Sequence, residues 1–341
     1  MPDDLAQTEL KHGVALHAPL RTELPRGVVL KDPLLLASGC CGYGEEYASI
    51  VDPAAIGGVI TKAVSLHPRD GNKPPRLRET PSGLLNCIGL QNPGVEKFTA
   101  EILPRLDAGG FTYIVNVVGE TPGEFAAVIE RIEEALAVGR DSVPAIMPAA
   151  TEGGATGMAG YELDLSCPNV ESGTIFSTDE AVLRRTVSLC RAATERMLIP
   201  KLSPNVTDIV PYARAANEAG GDAVTIANTW NGVSIDIATR RSHLIRPSAG
   251  LSGAAIRPAT LYQVWRCHRA LPGLPIIASG GAVDTASTVE YLLAGATAVQ
   301  LGTGLYLNPH CPLEIQAGLL AYLEEQGEER IAAIVGSFRD S

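Results

Sequence analysis

The chain has 341 residues and a formal net charge of −11, with 45% hydrophobic and 19% charged residues. This composition is typical of a globular protein with a large core, and its acidic balance argues against nucleic acid and anionic membranes as partners. The sequence has no run of about 18 apolar residues, and its acidic N-terminus, MPDDLAQTELKHG, lacks the apolar segment of a secretory signal. We therefore expect a cytoplasmic protein without a membrane segment.

The chain contains seven cysteines. An odd number of cysteines without metal-type spacing is typical of a reducing compartment. Cys40 and Cys41 are adjacent, which does not suit a zinc pair, and no CxxC motif occurs. The sequence therefore predicts neither an iron–sulfur cluster nor a structural metal within this chain.

Apolar strand-like segments and amphipathic helical segments follow one another along the chain. A (β/α)8 barrel, or TIM barrel, takes about 250 residues and grows by loop insertion, so we predict one elaborated α/β barrel with a core of about 28–326 and a short N-terminal hairpin. The predicted strands lie at 29–38 (two short strands with a turn at Asp32 and Pro33), 57–64, 111–119, 161–166, 199–202, 223–227, 276–279 and 298–301. The predicted helices lie at 122–138, 179–196, 254–270, 285–294 and 312–325.

Two segments are predicted to be insertions. Residues 65–110 carry many prolines and glycines, together with Arg69, Lys73, Arg76 and Arg78. A loop of this length over the strand ends is typical of an active-site lid or an interface arm. Residues 139–160 are rich in Gly, Ala and Pro, and we predict an exposed insertion there.

The first two barrel strands end in residues suited to ligand contact. Ser38 and Gly39 follow the first strand, and glycine lets the backbone approach a flat ligand, although an ordinary turn is the simpler alternative. Lys62 interrupts the apolar second strand. A lysine there is unfavourable unless its ammonium meets an anion or reaches solvent, so Lys62 is either an anion contact or a lysine that extends to the surface.

The string LNCIGLQNPG lies inside the 65–110 insertion. Asn86 offers both hydrogen-bond donors and acceptors, and the amides near Ile88, Gly89 and Leu90 can hold a carboxylate. A hydrogen-bonded turn without a ligand is the alternative. Asn116 interrupts the third strand, where a buried amide requires partners, either a ligand or neighbouring backbone.

The segment YELDLSCPNV, at 161–170, places Cys167 where the fourth strand ends before Pro168. In a parallel barrel the chemistry occurs at this end of the strands, although a cysteine can also be a small buried residue. Lys201 interrupts the fifth strand in the same way. It can supply a positive charge to a ligand, act as a Schiff-base lysine, or be a surface lysine at a strand end.

Amide side chains follow three strands or loops at the predicted barrel mouth. Asn228 and Thr229 follow the sixth strand, and Asn86 and Asn169 approach from two other loops. Each amide can donate and accept in one plane, so this group suits a planar ring that carries carbonyl and N–H groups.

Glycine turns follow the seventh and eighth strands. Gly280 and Gly281 come after the seventh, Gly302 and Thr303 come after the eighth, and Gly253 precedes a predicted helix. Glycine turns that face helix N-termini form the phosphate site of many barrels. The pattern predicts a phosphorylated ligand.

The strings NCIGLQNPG, at 86–94, and LSCPN, at 165–169, resemble the class 1 dihydroorotate dehydrogenases, which are flavin enzymes of pyrimidine biosynthesis. The first string is similar to NAIGLQNPG of the class 1B enzymes, with Cys87 where alanine is usual. The resemblance implies that Cys167 is the catalytic base and that FMN is the cofactor. It also marks Asp164 as a departure, because the family usually has asparagine there.

The resemblance implies ligand contacts at most of the positions above. The implied FMN contacts are Ala37, Ser38, Gly39, Lys62, Ala63, Asn116, Asp164, Lys201, Ala227, Gly253, Gly280, Gly281, Gly302 and Thr303. The implied dihydroorotate contacts are Lys62, Asn86, Ile88, Gly89, Leu90, Asn169, Asn228 and Thr229. Three explanations stay open for Asp164: it is protonated by burial, it pairs with Lys62 or Lys201, or the ligand differs.

The resemblance also bears on the electron acceptor. Class 1A enzymes are homodimers that use fumarate, whereas class 1B enzymes pass electrons through a subunit carrying FAD and an iron–sulfur cluster to NAD. The IGLQNPG string favours class 1B, so we expect a homodimer with a separate electron-transfer subunit. The alternatives are a flavin enzyme for a related dihydropyrimidine, a Schiff-base aldolase that uses Lys201, and a non-catalytic barrel that binds a phosphorylated ligand.

Overall fold

The computed structural model describes residues 18–142, 156–165 and 176–339. The strands are β1 (Thr22–Leu24), β2 (Val28–Leu30), β3 (Leu34–Leu36), β4 (Gly58–Ile60), β5 (Leu77–Thr80), β6 (Gly83–Asn86), β7 (Thr112–Val117), β8 (Gly157–Asp164), β9 (Met197–Lys201), β10 (Val224–Ile226), β11 (Trp230–Gly232), β12 (Ile235–Asp236), β13 (Arg241–Ser242), β14 (Ala249–Ser252), β15 (Ile276–Ser279) and β16 (Ala298–Leu301). The helices are α1 (Val95–Lys97), α2 (Leu103–Ala108), α3 (Pro122–Ser142), α4 (Glu180–Ala193), α5 (Val210–Glu218), α6 (Arg257–Ala270), α7 (Thr285–Leu293), α8 (Gly304–Leu307) and α9 (Cys311–Gln326).

Eight parallel strands close into a barrel in the order β3, β4, β7, β8, β9, β10, β15 and β16. Their side chains are largely apolar and buried on both faces, as a barrel surrounded by helices requires; β3 and β4, for example, are buried at every position. The predicted (β/α)8 barrel is therefore confirmed. Its carboxyl ends meet on one face, where the candidate site lies.

The chain enters the barrel through a hairpin. β2 pairs antiparallel with β1, whereas β3 pairs in parallel with β16 and β4. The strand and turn predicted at 29–38 are present, but β1, the partner of β2, was not predicted. Buried Asp32 makes the turn, because its Oδ1 accepts the Leu34 N–H at 2.8 Å and its Oδ2 accepts from Gln316 at 2.6 Å.

The segment predicted as an insertion at 139–160 is shorter than expected at both ends. Helix α3 continues to Ser142, and β8 begins at Gly157, so only its central part lies outside the described residues. The first four residues of β8, Gly157 to Gly160, belong to the predicted insertion. They can form a strand although most of them are small, because strand pairing uses backbone groups. At Gly160 a side chain would not fit, since a Cβ there would lie 2.2 Å from the Met197 carbonyl oxygen.

The 65–110 insertion contains regular structure that the sequence did not predict. β5 and β6 form a hairpin that joins β14 and β11 in a four-stranded antiparallel sheet beside the barrel mouth. The insertion then ends in α1, a π-helical turn at Phe98–Ile102, and α2. In the described ranges, none of the helices is long and apolar enough to cross a membrane.

Candidate active site

A cavity of about 480 Å³ opens at the carboxyl ends of the barrel strands, bordered by the sheet of β5, β6, β11 and β14. Most of the predicted ligand contacts line it. These are Ala37, Ser38, Gly39, Lys62, Ala63, Asn86, Ile88, Gly89, Leu90, Asp164, Lys201, Ala227, Asn228, Thr229, Gly253, Gly280, Gly281, Gly302 and Thr303. The strand ends therefore bring together residues that are up to 266 positions apart, from Ala37 to Thr303.

The two predicted site residues of the LSCPN string, Cys167 and Asn169, lie outside the described residues. Their roles stay predictions. The strand that leads to them is described to its end, and Asp164, its last residue, lines the cavity.

Glycines form one end of the cavity. Gly253, Gly280 and Gly281 all have positive φ, at 96°, 149° and 76°. A Cβ on Gly281 would lie 2.8 Å from the Gly253 carbonyl oxygen, so only glycine lets these two turns approach. Thr303 beside them donates its hydroxyl to Ser252 Oγ at 2.8 Å. The result is a part of the cavity wall formed by turns without bulky side chains, which suits the phosphate of a ligand.

Two cations lie in the wall of the cavity near β6. Lys62 and Arg76 both line it, and burial followed by the nearby Arg76 charge lowers the pKa of Lys62 below its ordinary value. An anion bound between Lys62 and Arg76 would raise the pKa of Lys62 again, because it would offset both the burial and the Arg76 charge. This part of the cavity is therefore suited to a carboxylate.

The loop after β6 completes this anion-binding region. Gly89 and Leu90 both adopt left-handed backbone conformations, with φ of 79° and 56°. Such a conformation costs roughly 1–3 kcal/mol for a residue with a side chain, and strained residues of this kind cluster at ligand sites. Asn86 is held beside the loop, where its Nδ2 donates to the Gly250 carbonyl at 3.4 Å.

Asp164 contacts a residue that was not among its expected partners. Asn228 Nδ2 donates to Asp164 Oδ1 at 3.0 Å, and the Thr229 N–H donates to Asn228 Oδ1 at 2.7 Å. Asp164 also lies opposite Lys201 in the parallel register of β8 and β9, and its charge helps to raise the pKa of that lysine. The structure thus places Asp164 opposite Lys201, one of its expected partners, and adds Asn228 as a hydrogen-bond partner.

Lys201 is buried in the barrel, with 6% of its surface exposed. Its Nζ lies 3.2 Å from Glu162 Oε1 and 3.5 Å from Gln300 Oε1. Burial alone would lower the pKa of Lys201, but the carboxylates of Glu162 and Asp164 outweigh it and raise that pKa above its ordinary value. The interpretation of Lys201 as a surface lysine is therefore wrong.

Glu162 is the centre of the network beneath the cavity. It is fully buried, and it accepts hydrogen bonds from Asn116 Nδ2 and Thr225 Oγ1, each at 2.8 Å, as well as from Gln300 Nε2. Asn116, a predicted cofactor contact, thus lies beside Glu162 and is not among the residues that line the cavity. Its Oδ1 is buried and has no hydrogen-bond partner in the described part of the chain.

Several residues in or beneath the cavity were not predicted. Glu162, beneath the cavity, is a charged residue inside a buried strand, which is the same signal that Lys62 and Lys201 carry. Arg76 was one of four cations in a long loop, and only the fold shows that it lines the cavity. Cys40 and Tyr306 had no recognisable signal; both line the cavity.

The closed barrel and the cavity at its carboxyl ends define a (β/α)8-barrel protein with a candidate active site. The family model described as dihydroorotate dehydrogenase matches residues 20–139 and 156–323, and the chain belongs to this family. It is therefore an oxidoreductase, and the resemblance found in the motifs is confirmed. The match omits residues 140–155, which fall within the predicted Gly/Ala-rich insertion.

Curated relatives extend along most of the chain. The protein of Pelobacter propionicus named dihydroorotate dehydrogenase B (NAD(+)), catalytic subunit, is 43% identical over 312 residues, or 91% of this chain and 96% of the relative. Proteins of the same name from Trichlorobacter lovleyi and Bacteroides thetaiotaomicron are 42% and 40% identical, each over 90% of this chain and 95% of the relative. The chain is thus similar to class 1B catalytic subunits over nearly its whole length.

Proposed function

We propose that this chain oxidises dihydroorotate to orotate with FMN, as the catalytic subunit of a class 1B enzyme. The observation that carries the proposal is one cavity with three kinds of group: cations and strained amides near β6, the Asn228 amide beside Asp164, and glycine turns after β15 and β16. These groups match a carboxylate, a ring with N–H and carbonyl groups, and a phosphate. The names of the relatives point to the same reaction.

FMN fits the glycine turns of the cavity and a buried amide in the barrel. The Gly253 and Gly281 turns line the cavity without side chains, which lets a phosphate approach their backbone. Asn116 Oδ1, which is buried and does not line the cavity, has no hydrogen-bond partner within the described ranges. When bound, FMN would supply a hydride acceptor, which protein side chains do not offer. Its proposed contacts are Ala37, Ser38, Gly39, Ala63, Asn116, Asp164, Lys201 and Ala227 for the ring, and Gly253, Gly280, Gly281, Gly302 and Thr303 for the phosphate.

The residues of the chain orient the substrate and remove its proton. Lys62, Arg76 and the amides of Ile88, Gly89 and Leu90 hold the carboxylate of dihydroorotate. Asn86, Asn169, Asn228 and Thr229 contact its ring edge. Cys167 takes the proton from carbon 5 as the hydride leaves carbon 6, which forms the carbon–carbon double bond of orotate. A general base of this kind contributes roughly 100-fold to 10,000-fold to the rate.

Lys201 argues against the aldolase alternative. A Schiff-base lysine must be deprotonated to attack a carbonyl, and such lysines have a lowered pKa. Glu162 and Asp164 do the opposite, since they raise the pKa of Lys201 and hold its ammonium. A related dihydropyrimidine stays as a second candidate substrate, because Asp164 puts an acceptor where the family usually has an amide.

The electron acceptor is proposed to be reached through a partner subunit. Among the described residues, no three His, Cys, Asp or Glu side chains are grouped to hold a metal ion. The relatives are named catalytic subunits of NAD(+) enzymes, which supports a partner that carries electrons to NAD. The homodimer predicted from the sequence is part of the same proposal.

The purified protein tests this function directly. A flavin absorbance band that dihydroorotate bleaches without oxygen, and dihydrouracil does not, is the expected result. A colourless protein that forms a borohydride-trapped adduct at Lys201 would support the aldolase alternative. Release of the flavin by heat, followed by chromatography, identifies it as FMN or another flavin.

A further inference from the structure

Three charged groups meet at the floor of the cavity, at the ends of β8 and β9. Glu162 and Asp164 are two positions apart on β8, so their side chains extend from the same face of the strand. Lys201 lies opposite Asp164 in the register of β8 and β9, and its ammonium lies 3.2 Å from Glu162 Oε1. Two carboxylates thus face one ammonium.

We propose that Glu162 and Asp164 are positioning residues that surround Lys201 with two carboxylates, so that the cavity floor is negative and lowers the midpoint potential of the bound flavin. The inference rests on the proposed function, because it assumes that a flavin occupies the cavity. It revises the interpretation of Lys201 as an isolated positive charge beside the cofactor. Two carboxylates and one ammonium leave one negative charge at this position.

The geometry supports this count of charges. Glu162 accepts hydrogen bonds from Asn116, Thr225 and Gln300 in addition to Lys201, so donors surround both of its oxygens. Asp164 accepts from Asn228. Among the described residues that act on the pKa of Lys201, Cys40 is the third, and burial raises the pKa of its thiol, so the thiol is neutral.

The direction of the effect follows from the reaction that the flavin undergoes. Reduction adds electrons to the ring, and a nearby negative charge makes this less favourable. A lone ammonium would instead make the reduction of the flavin more favourable. The paired carboxylates therefore keep the flavin more reducing, which suits an enzyme that must pass electrons on to NAD. Lys62 and Arg76 also line the cavity, but they are the same in every variant below.

The test is a dye-equilibrium measurement of the flavin midpoint potential in variants that change charge with little change in shape. Asp164→Asn is the main variant, because its Oδ1 can still accept from Asn228. Glu162→Gln, Lys201→Met and the double variant Glu162→Gln/Lys201→Met complete the set. Asp32→Asn is the control, since Asp32 is a fully buried carboxylate before β3, at the opposite end of the barrel.

If the inference is right, the potential follows the net charge of the three positions. Asp164→Asn raises it enough for at least a tenfold change in the two-electron equilibrium constant, which is about 30 mV. Lys201→Met lowers it, and the double variant returns close to the parent because its net charge is the same. Asp32→Asn leaves it unchanged. A role of Lys201 as a hydrogen-bond donor alone would instead leave the double variant as low as Lys201→Met.

An unchanged or lowered potential in Asp164→Asn would overturn the inference. Glu162→Gln leaves a buried ammonium without its main partner and can fail to fold, so the conclusion does not depend on it. A protein that binds no flavin would overturn the proposed function. A protein that binds flavin, but whose flavin midpoint potential does not change in these variants, would overturn only the present inference.

Discussion

Asn228 Nδ2 donates a hydrogen bond to Asp164 Oδ1 across 3.0 Å, from the loop after β10 to the end of β8. The other end of the same amide accepts the Thr229 N–H at 2.7 Å. These two bonds fix which way the amide of Asn228 is turned. Asp164 therefore helps to set the orientation in which the Asn228 amide faces a ring-shaped ligand in the cavity.

Replacing Asn228 should weaken substrate binding. Asn228→Ala removes one hydrogen bond to the ring edge, and we expect KM for dihydroorotate to rise about tenfold, which corresponds to about 1.4 kcal/mol. Steady-state kinetics checks this. Asn231→Ala, an exposed position in β11, is the matched control and should behave as the parent. Equal KM values for Asn228→Ala and the parent would show that Asn228 does not contact the substrate.

Cys167 is expected to act on the proton and not on cofactor binding. Cys167→Ala should lower turnover roughly 100-fold to 10,000-fold and leave the flavin spectrum intact. Rapid mixing with dihydroorotate measures the loss at the reductive step. Cys190→Ala is the control, because Cys190 is fully buried on α4, away from the cavity residues. Full activity in Cys167→Ala would remove this thiol from the mechanism.

Lys62 gives the reaction a pH dependence. Burial and the Arg76 charge lower its pKa from the ordinary 10.5, so its charge is present at low pH and is lost before that of an exposed lysine as pH rises. We expect kcat/KM for dihydroorotate to fall on the alkaline side, since only the ammonium attracts the carboxylate. This alkaline limb should be absent in Lys62→Met, which should have a raised KM throughout.

Lys73→Met provides the comparison for Lys62. Lys73 is exposed in the same insertion, and the variant should retain the parent profile. If Lys62→Met shows the same alkaline limb as the parent, another group is responsible for it.

The glycine turns should decide how tightly FMN binds. Gly281→Ala puts a Cβ 2.8 Å from the Gly253 carbonyl oxygen, at a φ of 76° that disfavours alanine. The free protein can relax this strain of roughly 1–3 kcal/mol by moving the turn, whereas bound FMN requires the turn in place, so the dissociation constant for FMN should rise about 5-fold to 150-fold. Fluorescence titration of the apoprotein measures it. Gly273→Ala has nothing within 4 Å of its Cβ and should bind FMN normally; equal affinities would contradict the phosphate assignment.

The sequence predicted much of the barrel and its cavity, because both follow from local patterns. Apolar segments such as 276–279 ended in glycine turns, and barrel geometry alone brings such turns together at one face. Contacts between different strands, in contrast, join residues that are far apart in the sequence. The contact of Lys201 with Glu162 depends on the register of β8 and β9, and the sheet that borders the mouth joins Leu84 to Ser252. No spacing within the sequence indicates these pairs.

Asp164 illustrates the same limit. Its charge was evident from the sequence, but its partner depended on which side chain crosses the barrel mouth. Asn228 belongs to another strand end, 64 positions away. Hydrogen-bond partners within a cavity are set by three-dimensional placement, so residue types alone left three explanations open.

Anaerobic mixing of the purified protein with dihydroorotate tests the proposed reaction most directly. The account predicts a flavin band that bleaches as orotate forms, with one orotate for each flavin reduced, and a slow reaction in Cys167→Ala. A flavin that dihydroorotate leaves oxidised, or a protein that carries no flavin and takes up none, would contradict it.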